Sequence, residues 1–88
     1  VARRVYSLLD MIDAVVARGN QNAVTDGCVA MMCARCAIVG ALFNVRINLT
    51  SLKDRDFASK LSQEADKMEE EVNRREKNVI AHTKKACE

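Results

Sequence analysis

Apolar positions along the chain fall into three blocks with different rhythms. In the first, Val5, Leu8, Leu9, Ile12, Val15 and Val16 recur at the spacings of one α-helical face. The pattern predicts a helix over 2–17. Arg18-Gly19-Asn20 ends it, because Gly and Asn most readily take the left-handed conformation that closes a helix. The second helix is expected to start after Asn22 or Thr25, both good N-caps, with Asp26 in its first turn complementing the macrodipole. It continues through Ala41 and on toward Leu52. The run 45–50 is rich in β-branched residues, and propensity alone would permit a strand there. A helix is preferred: Leu42, Asn44, Val45, Asn48 and Leu49 keep the helical period, and no other segment offers a partner strand.

The third block starts at Asp54 or Asp56 as N-cap and runs to about Ala86. Phe57, Leu61, Ala65, Met68, Val72 and Val79 form a narrow apolar stripe on a charged surface, with pairs such as Glu70 and Arg74 at i, i+4. So narrow a stripe on so long a helix belongs to a bundle or a coiled-coil seam. The expectation is one all-α domain over 1–88: a three-helix antiparallel bundle with a long C-terminal helix, completed by oligomerisation. With 88 residues, no Pro and three Gly, composition agrees. A chain of this size buries only about 60% of its unfolded surface and is marginal alone.

Charge and composition narrow the function. A net charge of +2 is small, aromatic residues are scarce, and acids and bases balance at nine each over 53–88. None of this suits nucleic acid. No apolar run is expected to approach the roughly 18–20 residues that cross a bilayer, and no secretory pattern opens the chain. Four Cys in a helical chain without such a signal read as reduced thiols, so a cytoplasmic location is expected. The chain opens on Val rather than Met, which suggests an excised or processed piece.

On a helical wheel, Asp26, Ala30, Cys33, Ala37, Gly40, Ala41, Asn44 and Asn48 fall within about 50° of one line. This small-residue stripe lets another backbone approach closely, and it is expected to be covered by a neighbouring element. Amides buried there would need partners, since an unpaired polar group in a core costs roughly 1–3 kcal/mol. Asp26 reads either as a carboxylate for proton transfer or for holding a cationic heterocycle, or, more commonly, as a helix-end stabiliser. Asn44 and Asn48 read as ligand contacts or as a buried pair fixing register or a subunit interface. Cys28, Cys33 and Cys36 have a C-x4-C-x2-C spacing met in iron–sulfur proteins. On a helix Cys28 points about 140° from Cys33, so buried small residues are the better reading and no metal is expected. His82, the single histidine, has no catalytic company.

The run 22–54 resembles the cyclodeaminase/cyclohydrolase family of folate one-carbon metabolism. The resemblance is carried by an ordered set: Asn22, Thr25-Asp26, Val29-Ala30, Gly40-Ala41, Asn44-Val45 and Ile47-Asn48-Leu49. Gly19-Asn20 and the long charged helix also look like that family, so that the resemblance extends over nearly the whole chain. Cys28, Cys33 and Cys36 depart from it, standing where members carry Gly, a long aliphatic and Ala. The resemblance implies that the chain spans about the C-terminal half of the family's domain, without an upstream acidic segment. It implies cyclisation of formiminotetrahydrofolate with ammonia release, or hydrolysis of methenyltetrahydrofolate, with a tetrahydrofolate derivative as substrate and no cofactor. Asp26, Asn44, Asn48 and Asn22 become candidates for the folate cleft or an interface. The expected partner is a second copy. The competing expectation is a non-catalytic helical oligomerisation module.

Overall fold

In the computed structural model, which describes residues 2–88, helix α1 spans Ala2–Arg18, α2 spans Gln21–Leu49 and α3 spans Arg55–Ala86. All three expected helices form, and the described residues contain no strand. The β-branched run stays helical as far as Leu49. Links of a few residues fold each helix back on the one before. Arg35 of α2 reaches Asn73 of α3, and Arg46 reaches Asp66, so these two helices run antiparallel.

The links show why each helix stops. Gly19 does not take a left-handed conformation, since no described residue has a positive φ. Its role is steric: a Cβ there would lie 2.7 Å from the Val15 carbonyl oxygen and 2.7 Å from the Ala23 Cβ. The next helix begins earlier than expected. Asn20, not Asn22 or Thr25, is the N-cap of α2, its side-chain oxygen accepting from the Ala23 N–H at 3.0 Å. The Thr25 hydroxyl instead donates to the Asn22 carbonyl at 2.9 Å. Asp26 therefore lies beyond the first turn. At the far end, Arg55 donates to the carbonyls of Leu49 and Leu52, taking up acceptors that a helix terminus leaves unpaired. Asp54 caps α3 by accepting from the Phe57 N–H.

The core lies where α2 meets both neighbours. Leu9, Met31 and Val72, one from each helix, are fully buried, with Ile12, Val16, Val24, Cys28, Val39 and Val79 around them. The buried faces are narrower than the sequence pattern suggests. Leu8 and Val15 remain half exposed, and on α3 Ala58 turns inward while Phe57 is 52% exposed. Two neighbours leave each helix a wide solvent face, so periodic apolar residues at the stripe edges stay wet. At Gly27 α2 approaches α1 closely, because a Cβ there would lie 2.6 Å from the Val16 Cγ2.

Charge pairs lock the edges. Both cations of α2 turn to α3: Arg46 pairs with Asp66 and Glu69, and Arg35 with Glu76. Arg75 joins α3 to α1 through Asp10 and Asp13, and also bonds Glu71 on its own helix. Arg74 pairs with Glu71 rather than with the expected Glu70. Glu71 is drawn to that position because it serves both guanidiniums at once. Bonds from Arg74 and then Arg75 hold its carboxyl down from 4.5 to about 2.

Two outcomes follow. Gly27→Ala should cost about 1–3 kcal/mol in urea denaturation, because the β-branched Val16 has little freedom to move aside. A carboxyl whose pKa is lowered on folding stabilises the fold above its unfolded pKa and loses that effect as pH falls through the folded value. Stability should therefore drop as pH falls from about 4.5 to about 2. Glu71→Gln should flatten that part of the acid-unfolding curve.

Candidate functional site

The four residues singled out from the sequence occupy one side of α2. Asn22, Asp26, Asn44 and Asn48 are all exposed, as are Ala30, Cys33, Ala37, Gly40 and Ala41 between them. The expected stripe is real, but the expectation that a neighbouring element covers it fails within this chain. The inward line of α2 (Val24, Cys28, Met31, Val39, Leu42, Leu49) is the opposite one. The amides are accordingly not buried, and among the described residues the side chains of Asp26, Asn44 and Asn48 form no hydrogen bond, the Ser51 hydroxyl donating to the Asn48 backbone carbonyl instead. Solvent satisfies them, which removes the energetic argument for an internal partner.

Their spacing limits their chemistry. Asn22 and Asp26 form one polar pair a single turn apart, and Asn44 and Asn48 form another. The pairs are separated by roughly 27 Å along the axis at 1.5 Å per residue. No acid and amide from different pairs reach a common atom on one chain. Among the described residues Asp26 stands exposed and forms no ion pair.

A cleft of about 610 Å³ opens elsewhere, where α1 is too short to follow α2 and α3 to their common end. Val5 and Tyr6 close one side of it, while Ile38, Leu42, Leu61 and Met68 form much of the rest, with Glu64 and Lys67 at the edge. None of the four candidate residues lines it. It opens about 100° around α2 from the stripe. Sequence reasoning missed this cleft. Its signal was the length mismatch between a 17-residue first helix and its 29- and 32-residue neighbours.

The thiols are separated as the wheel requires. Cys28 is buried, while Cys33 and Cys36 are exposed, so the reading of these three as buried is corrected for the latter two. Among the described residues, no group of three His, Cys, Asp or Glu side chains gathers to hold a metal. A further correction concerns α2 as a whole, which is long and apolar enough to cross a membrane by length and composition. Arg35 and the scattered amides interrupt the run without lowering its average enough to exclude it.

Because the Asp26, Asn44 and Asn48 side chains are exposed, Asp26→Ala, Asn44→Ala and Asn48→Ala should each change unfolding free energy by less than about 0.5 kcal/mol in dilute solution. Thermal melts at low micromolar concentration would check this.

Comparison with known proteins then fixes the ancestry. Neither a curated protein nor a solved structure matches the chain. The family profile described as formiminotransferase-cyclodeaminase matches residues 1–67. That range includes α1, α2 and the first part of α3, so the resemblance ends earlier on the long charged helix than the sequence reading held. The chain belongs to the formiminotransferase-cyclodeaminase family.

Proposed function

We propose that this chain is a partial folate cyclodeaminase/cyclohydrolase-like domain, whose α2 contributes one polar wall to a cleft that other helices complete. The parent chemistry is attack on an amidine-like carbon of a reduced folate, either closing formiminotetrahydrofolate with loss of ammonia or opening the methenyl ring with water. Such a reaction needs a pocket that orients the ring and a proton donor or acceptor within hydrogen-bond reach of a ring nitrogen. The family membership and the line of Asn22, Asp26, Asn44 and Asn48 support the assignment. The observation that carries the reading is that those groups stand exposed on one helix, in two pairs too far apart to act together.

On this reading the isolated chain turns over little or nothing. The runner-up, a scaffold that has kept the helices and lost the chemistry, is favoured by the absence of those groups from the apolar cleft. The two differ in ligand binding. Calorimetry with 5-formyltetrahydrofolate should give a measurable heat for the folate reading, weakened by Asp26→Ala, and none for a scaffold. Loss of methenyltetrahydrofolate absorbance at stoichiometric protein should stay at the uncatalysed rate. A burst or steady-state turnover would overturn the prediction of inactivity.

A further inference from the structure

The corner where α2 hands over to α3 encloses a second hollow, of about 340 Å³, which shares no residue with the apolar cleft. Arg46 and Arg55 both line it, and no acid does, although the chain carries 12 acids against 14 bases. Its other polar groups, among them Ser59, Ser62 and Gln63, can all donate hydrogen bonds.

Helical geometry gathers these donors. Arg55, Ser59 and Ser62 stand at i, i+4 and i+7 on one face of α3. Side chains on a helix tilt toward its N-terminus, so both serines lean toward Arg55. The guanidinium is fixed from the α2 side. Its Nη1 donates to the Leu49 carbonyl at 3.0 Å and to the Leu52 carbonyl at 3.1 Å, which leaves Nε and Nη2 for another acceptor. Acids of this region are engaged elsewhere: Arg46 holds Asp66 at 2.9 Å and Glu69 at 2.7 Å, and Asp54 accepts from the Phe57 N–H. Asp56 lies about 100° around α3 from Arg55. The serines are free as well. Hydroxyls on helices commonly bond a carbonyl one turn back, as Thr25 and Thr83 do. Among the described residues the Ser59 and Ser62 hydroxyls form no hydrogen bond.

We propose that this hollow binds a phosphate monoester. Arg55 supplies the charge and two N–H donors in the planar arrangement that suits phosphoryl oxygens. Ser59 and Ser62 donate to the same group from the next two turns. The volume exceeds what a bare anion fills, being about eleven times the roughly 30 Å³ that one water occupies in the liquid. Leu49 and Ala58 make part of the floor apolar, which suits the organic half of an ester. Asn44 and Asn48 each lie about 160° around α2 from Arg46, so the inference goes beyond the folate reading and does not depend on it.

Amide NMR shifts of the full chain test it, in titrations with phenyl phosphate, inorganic phosphate and acetate at constant ionic strength. The pH is set at about 7.5, where a phosphate monoester carries close to two negative charges. Saturable shifts over residues 49–63 are expected, strongest with phenyl phosphate and weakest with acetate. Ser59→Ala combined with Ser62→Ala should weaken binding by about 10-fold or more, since each hydroxyl donates to a charged group. The fold should be unchanged, because neither hydroxyl has an internal bond to lose. Arg55→Gln should abolish binding; circular dichroism checks its helicity, and the serine variant decides alone if that chain unfolds. Shifts that fail to saturate, that spread over the cations of all three helices, or that survive the serine variant would overturn the proposal. Acetate binding as tightly as phosphate would overturn the phosphoryl assignment, and inorganic phosphate binding more tightly than phenyl phosphate would overturn the ester.

Discussion

Two neighbours can cover only about half of a helix, and that constraint governs this molecule. The central helix α2 is apolar nearly all round, and a helix of that kind ordinarily lies inside a large core or a membrane. Here α1 and α3 bury one line of it, through Leu9, Met31 and Val72, and leave the opposite line in solvent. The other structural features follow from this imbalance: the exposed stripe, the wet edges of the outer helices and the cleft beyond the end of α1.

Electrostatics sharpen the division. Arg35 and Arg46 lie on the inward side of α2 by helical phase and pair there with α3, so neither cation reaches the outward face. Arg75 performs the corresponding task between α3 and α1, gathering Asp10, Asp13 and Glu71 around one guanidinium. Surface ion pairs of this kind are individually weak. Their effect here is on orientation: they hold α2 to α3 along the side opposite the four polar candidates.

Membership of the formiminotransferase-cyclodeaminase family gives these features a setting without supplying a mechanism. A reaction at a folate carbon needs converging groups, and a single straight helix disperses them at a fixed rise per residue. Convergence must come from packing one element against another. On the reading proposed above, the residues that distinguish the sequence form one half of an arrangement. Cys28, Cys33 and Cys36 divide between the buried and exposed sides of α2.

Helix identity and extent were legible in the sequence because they depend on local causes. The spacing of Leu9, Ile12 and Val16 sets the phase of α1, Asp54 caps α3, and the absence of proline lets both long helices run on. The stripe from Asn22 to Asn48 was legible for the same reason, as a consequence of helical geometry. The start of α2 was misplaced because several good caps compete within a few residues, and the geometry of the Gly19 link decides in favour of Asn20. Only the tertiary structure decided which side of α2 is covered. Apolar residues all round give that helix no amphipathic phase to read, so the choice fell to the neighbours, through the close approach at Gly27 and the pull of α3 on Arg35 and Arg46.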